Sequence, residues 1–257
     1  MRIEVKLDDY GDRGLVARVV VYYQARLNIL NSELIEQLTS ALSSLSDNED
    51  LRVLILTGAG NRAFIGGADV SEMVALNNAS AKEFITRLHK ACSVLRSIAV
   101  PVIARISGYC LGAGLEIAAS CDLRIAADHS VFGMPEVRVG IPSVIEAAIL
   151  PRLIGWGKAA ELVYTGESIS AQEAVACGLI ERSVPAGHLD EAVDLWTRAI
   201  LKSGPRAIRL QKRLLREWER LPLDQAIERG IDVFAEAYET DEPQVFMRRF
   251  LNRRKVP

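Results

Sequence analysis

Gly108, Gly112 and Gly114 punctuate the stretch from Ile106 to Asp122, and a single acid, Glu116, follows two residues after the last of them. Glycines between a strand-like apolar run and a helix-like segment let backbone N–H groups face a ligand at close range. A carboxyl one turn inside an otherwise apolar helix is costly unless it is used or paired. The segment Ala63-Phe-Ile-Gly-Gly-Ala-Asp69 repeats the theme upstream, because Gly66 and Gly67 permit a sharp turn at a strand end that exposes further N–H donors. Downstream, Glu136 follows a proline in Val131-Phe-Gly-Met-Pro-Glu-Val137. The chemistry on offer is main-chain donation to a ligand together with proton transfer by two carboxyls. Each piece alone has a plainer reading. The loop at 63–69 could be an ordinary connection, Glu116 could pair with Arg124 or Arg105, and Glu136 could be a surface acid near Arg138. Their joint occurrence in this order favours a site.

The elements that must position these residues can be read along the chain. Residues 2–9 and 14–22 predict a β-hairpin around Asp9-Tyr-Gly-Asp-Arg13. A helix capped by Asn31 or Ser32 follows, with Leu34, Leu38, Leu42 and Leu45 on one face. Buried strands are expected at 51–57, 102–106 and 123–126, and helices at 81–98 and 112–120. This alternation predicts an α/β layer with mostly parallel central strands. Beyond about residue 143 the pattern turns helical, with segments at 143–154, 157–165, 171–176, 188–202, 205–220 and 222–238, and one short strand near 179–184. The expected division is a core at 1–195 that carries the site and a helical region at 196–257. Neither a repeat nor a linker is evident.

Composition narrows the function classes. The chain has 257 residues, 49% of them hydrophobic and 25% charged, enough for a sizeable core. A net charge of −2 gives no general attraction to nucleic acid or anionic membrane. The start, Met1-Arg-Ile-Glu-Val-Lys6, alternates and carries acid, unlike a signal peptide, and no run of about 18 apolar residues could span a membrane. Cys92, Cys110, Cys121 and Cys177 sit in apolar surroundings without metal or redox spacing, so buried reduced thiols and a cytoplasmic setting are expected. His89, His129 and His188 are scattered, and no metal site is predicted. Without a GxSxG motif, Ser-His-Asp catalysis has no support.

The two glycine loops and two glutamates, in this order, resemble the crotonase (enoyl-CoA hydratase/isomerase) superfamily over essentially the whole chain. The resemblance implies a crotonase-like α/β spiral of ββα units with a C-terminal helical trimerisation region. It implies an oxyanion hole made by the N–H groups of Ala68 and Ala113, the latter at a position that is often glycine in the family. It implies acyl thioesters of coenzyme A as substrates, with no redox or metal cofactor, since CoA enters as part of the substrate. Family hydratases carry glutamates at both positions found here. Syn addition of water across a C2–C3 double bond needs a base for the water and an acid for C2. By resemblance Glu116 activates the water and Glu136 donates the proton. Arg26, Leu27, Ala63, Ile65, Gly66, Ala68, Asp69 and Gly112 would line the thioester and pantetheine path, with Asp69 capping the turn after it.

Two departures stand out. The glycine pair usual after the second acid is replaced by Ile145 and Glu146, which puts the acyl pocket's shape in question. Glu146 is expected to point outward or to pair with Arg152; the alternative is a third titratable group near the acyl chain. Arg206, Arg209, Arg213, Arg216 and Arg220, with Lys212 beside them, are expected to form a solvated stripe laced with Glu217 and Glu219. In crotonases the C-terminal helices reach a neighbouring subunit, so Arg248, Arg249, Arg253, Arg254, Lys255 and Phe250 could meet a CoA nucleotide there. The expected assembly is a homotrimer or a hexamer, with no membrane partner and nucleic acid binding unlikely on composition. A sibling reaction such as enoyl-CoA isomerisation is the near alternative. A non-catalytic CoA- or RNA-binding paralogue is the distant one.

Overall fold

The computed structural model describes residues 1–253. β1 (Arg2–Asp9) and β2 (Leu15–Tyr22) form the expected antiparallel hairpin. α1 (Ser32–Ser46) follows, capped by Asn31, whose side chain accepts the Leu34 N–H at 2.9 Å. Three successive ββα turns come next. The first is β3 (Leu51–Gly58), β4 (Ala63–Ile65), a single helical turn α2 (Val70–Met73) and α3 (Asn78–Ser97). The second is β5 (Val102–Ile106), β6 (Tyr109–Leu111) and α4 (Ala113–Ser120). The third is β7 (Leu123–Ala127), β8 (Val131–Gly133) and α5 (Leu150–Thr165). β9 (Ser168–Ser170), α6 (Ala171–Ala176), β10 (Arg182–Val184) and α7 (Leu189–Leu201) complete the core.

In each turn the first strand joins a six-stranded sheet of order β1-β2-β3-β5-β7-β10, and the second joins a four-stranded sheet of order β4-β6-β8-β9. Pairing is parallel except at β1–β2 and β8–β9. This is the spiral the resemblance implied. The second sheet is absent from a reading of periodicity, because its strands are three residues long.

The main core lies between the large sheet and α1, α3 and α4; α7 covers the sheet's other face through Val16, Val53, Ile103, Ile125 and Val193. All eight residues of α4 are buried, so any acid on it loses its water. Cys92, Cys110 and Cys121 are buried free thiols and Cys177 is half-buried. The helix expected over 143–154 is instead a 3-10 turn, Ile145–Ile149, running into α5, and Gly155 (φ 76°) breaks α5 where two helices were expected to separate. The expected division at 195/196 falls inside α7.

α8 (Pro205–Trp218), α9 (Leu223–Ala237) and α10 (Glu242–Arg253) follow the core. The arginine stripe near α8 is solvated only in part: Arg213 and Arg220 are exposed, but its other basic side chains are buried or half-buried. Arg209 donates to the carbonyls of Glu49 and Leu51, and Arg216 binds Asp122. Lys212 is 5% exposed; its ammonium donates to Leu95 O and Val100 O and pairs with Asp122 at 2.7 Å. The end of α3 and the start of β5 leave carbonyls without intrahelical or ladder partners, and basic side chains of α8 supply the donors. Lys212→Met is therefore expected to destabilise the protein by about 3 kcal/mol, because Asp122 and two carbonyls lose their buried partner. Urea unfolding checks this; a change within 0.5 kcal/mol, as at an ordinary surface site, would mean that the lysine contributes nothing. Arg254 and Lys255, part of the expected basic tail, lie outside the described residues.

Candidate active site

The two glycine loops meet because each closes one ββα turn. β4 and β6 pair in parallel, bringing the loop after Ile65 alongside the loop after Leu111. Gly114 is the point of closest approach: a Cβ there would fall on the Ile65 carbonyl and within 2.9 Å of the Ile65 Cβ. Gly112 turns the chain into α4 with φ 50° and ψ −120°, a region closed to other residues, and a side chain there would meet the Glu136 carboxyl.

Main-chain donors follow from this backbone. Leu30 N donates to Gly67 O, and Asp69 N donates to Leu30 O, in a parallel bridge between Leu30 and Ala68. Because the neighbours of Ala68 make both bonds, its own N–H points to the opposite side. Ala113 is the first residue of α4, and a helix's first N–H groups have no partner inside the helix. Ala68 and Ala113 both line a cavity of about 210 Å³, together with Gly66, Gly112, Glu116 and Glu136. Its remaining wall is largely apolar, with Met73, Phe84, Ile85 and Leu88 among the lining residues.

The carboxyls come from two different elements. Glu116 sits in the first turn of α4, 4% exposed, and accepts the Ala147 N–H at 3.2 Å. Neither arginine that could have neutralised it does so: Arg124 pairs with Glu181 and Arg105 with Asp190. Burial raises the Glu116 carboxyl from 4.5 to about 8, and Glu136 and Glu146 add to the rise against the Ala147 N–H, which lowers it. Glu136 is held by a 3-10 turn, Pro135–Val139, and accepts the Ser143 hydroxyl at 2.8 Å. Both acids thus stand at the cavity, one of them inclined to keep its proton at neutral pH.

A stability consequence follows. Between pH 4.5 and 8 the folded state holds a proton on Glu116 that the unfolded chain releases. Folding stability therefore falls as pH rises through that window. Glu116→Gln removes the effect, so the variant's Tm should gain on the wild type from pH 5 to 8 and level off above. Parallel Tm curves across that range would show that the carboxyl ionises freely.

The other predicted residues cluster around the same loops. Ala63 and Ile65 are buried on β4. Leu27 and Ala63 border a second cavity of about 230 Å³. Asp69 caps α2 by accepting the Ser71 N–H, and Arg26, half-exposed, reaches Asp69 at 3.5 Å.

The family model for enoyl-CoA hydratase/isomerase matches residues 14–257. The chain belongs to that family. Among its relatives are the short-chain-enoyl-CoA hydratase of Clostridium acetobutylicum, 33% identical over 95% of this chain and 94% of the relative. The crotonyl-CoA hydratase of Syntrophomonas wolfei is 35% identical over 90% and 89%. The crystal structure of an enoyl-CoA hydratase from Bacillus anthracis superposes with a TM-score of 0.91 at 31% identity, covering 97% of this chain and 96% of that one. The crotonase fold of the family is thereby shared across core and C-terminal helices.

Within this family frame one expectation fails. Glu146 neither points outward nor meets Arg152, which donates to Glu219 O instead. It is buried at 6% exposure, with one oxygen 2.8 Å from His89 Nδ1 and the other, Oε2, without a hydrogen-bond partner. His89, to which no role was assigned, is its partner. The turn that carries Glu146 is strained, since Ile145, a β-branched residue, has φ 38°. The available signal was the one that singled out Glu116, an acid enclosed by Ile145, Ala147, Ala148 and Ile149. Ser143 carried no such signal.

Proposed function

We propose that this protein hydrates the C2–C3 double bond of short trans-2-enoyl-CoA thioesters. The observation that carries the proposal is the convergence of two main-chain donors and two carboxyls on one small, largely apolar cavity, and the hydratase relatives support it. The N–H groups of Ala68 and Ala113 would bind the thioester oxygen and stabilise the enolate as charge moves onto it. The carboxyls would hold the water and one shared proton.

Burial favours that proton on Glu116 in the empty site. Glu116 can act as base only when ionised, so the entering water relays the proton to Glu136. Glu116 then takes a proton from the water as its oxygen bonds to C3, and Glu136 delivers its proton to C2. The addition ends with the proton on Glu116 and Glu136 ionised, which is the starting state. The sequence uses carboxyls, main-chain donors and water, and needs no redox or metal cofactor; CoA arrives with the substrate. Isomerisation can run on one carboxylate, so two at the cavity favour hydration.

Arg26, Leu27, Ala63, Ile65, Gly66, Ala68, Asp69 and Gly112 would guide the pantetheine arm, with the second cavity beside Leu27 receiving part of the CoA. Leu223, Ile227, Ile231 and Phe234 are exposed on α9, which supports burial against copies of the chain in a trimer or hexamer. Among the described residues no helix is long and apolar enough to cross a membrane, and four free thiols fit a reducing cytoplasm. Loss of the conjugated enoyl-thioester absorbance of crotonyl-CoA tests the proposal. Turnover supports it, and its absence with crotonyl-CoA and longer enoyl-CoA substrates overturns it.

A further inference from the structure

The buried Glu146 carboxyl is not needed by the two-carboxyl reaction, yet it is tied to Glu116 by two routes. The first is mechanical. Glu146 immediately precedes Ala147, whose N–H donates to Glu116, and both belong to the 3-10 turn Ile145–Ile149. The second is electrostatic, since the Glu146 charge acts on Glu116 from the turn packed against α4 and one of its oxygens lacks a hydrogen-bond partner. His89 Nδ1 holds its other oxygen, the Cys92 thiol also lies against the Glu146 carboxyl, and Ser93 Oγ lies 3.3 Å from His89 Nε2.

Most of the surrounding charges are committed to other partners. Facing Glu116 are Glu136 and Arg138 across the small cavity, Cys92 from α3 and Glu146 from the turn. Glu146 and His89 border a larger cavity of about 1230 Å³ beside α8. Arg96, Lys212, Arg213, Arg216, Arg220 and Glu217 also line it. Arg96 is bound to Glu219, Lys212 and Arg216 to Asp122, and Arg213 to Glu236.

We propose that Glu146 and His89 are a positioning pair for Glu116, in which Glu146 presents an incompletely neutralised negative charge behind the carboxyl, its turn fixes the Ala147 N–H that Glu116 accepts, and His89 sets how much of the charge Glu116 feels. The proposal rests on reading Glu116 as the proton-transfer group. A neighbouring negative charge keeps the proton on Glu116; removing or neutralising that charge releases it. The His89 side chain, half-exposed, lies against the Glu146 carboxyl from the solvent side of the pair.

The test is a carboxyl titration of the ligand-free protein by NMR with ¹³C-labelled glutamate, the Glu116 signal being assigned by its loss in Glu116→Gln. Glu146→Gln is expected to lower the Glu116 midpoint by roughly half a unit or more. His89→Lys, at a half-exposed position that tolerates exchange, places a fixed cation against Glu146 and should move the midpoint the same way. The falling limb of kcat/KM against pH, where the shared proton is lost, should shift to lower pH with it, with KM little changed. Midpoints unmoved in His89→Lys and in any folded Glu146→Gln would overturn the pair. The titration needs no substrate. A wild type inactive on enoyl-CoA substrates but with both midpoints lowered would uphold the pair while overturning the hydratase reading.

Discussion

Glu116→Gln is expected to lower kcat for crotonyl-CoA hydration by about 10³-fold, and Glu136→Gln by a similar factor, each with KM changed by less than about threefold. The amide is close to an isostere in both places. The introduced side chain can still accept the Ala147 N–H in the first variant and the Ser143 hydroxyl in the second, so the pocket keeps its shape. What each variant loses is a group that exchanges protons with water and substrate. In Glu116→Gln the water has no base to leave its proton with; in Glu136→Gln the C2 carbanion has no acid. Because the two act on one proton inventory, the double variant should be scarcely worse than either single one, a non-additivity that residues working as a unit display. Stopped-flow or steady-state loss of the enoyl-thioester absorbance decides the matter. Activity within tenfold of wild type in either variant removes that carboxyl from the reaction.

Gly114→Ala is expected to remove most activity and about 3 kcal/mol of stability. Its methyl would occupy the space of the Ile65 carbonyl oxygen. Neither partner can yield, because both are buried backbone at the crossing of the two loops. Overpacking of this kind typically costs about 1–3 kcal/mol even where side chains can adjust. The catalytic effect follows from the same displacement, since forcing β4 from α4 moves the Ala68 N–H relative to the Ala113 N–H. A misplacement of about 1 Å is enough for a loss of about 10²-fold. Gly157→Ala, in α5 with nothing within 4 Å of the added methyl, is the matched control. It should leave kcat unchanged and be neutral or mildly stabilising through helix propensity. Urea unfolding with kinetics on both variants would test the pair, and wild-type behaviour of Gly114→Ala would mean that the loops can separate without consequence.

Legibility in the sequence followed the length of each signal. β3 and β5 were readable as apolar runs, α1 and α3 from apolar positions at three- and four-residue steps. The four-stranded sheet was not, because three residues are too few for any period, and only the resemblance pointed to it. At the site, both glycine loops and both glutamates were visible as residue types at odds with their surroundings. Glu146 was at odds with its surroundings too, but its partner was not local: His89 lies 57 residues earlier, and a contact across that separation leaves no trace in spacing. The α8 arginines were misjudged in part, for the same reason. A basic stripe at helical spacing looks solvated until the carbonyls it serves, at Leu95, Val100 and Leu51, are brought beside it by the fold.

The buried thiols give this protein a built-in reporter of its own opening. Cys92 on α3, Cys110 on β6 and Cys121 just after α4 lie on three elements of one core. Burial lifts all three thiols far above the ordinary range, Cys121 to about 12. A thiolate-seeking reagent therefore finds almost nothing to attack until a segment unfolds. Cys177, after α6, is only half-buried. The alkylation rate of each buried cysteine thus measures how often its own stretch of the spiral comes apart. The stretches bearing Cys110 and Cys121 flank the loop that holds Gly112 and Ala113, so the lifetime of the site can be timed without a substrate.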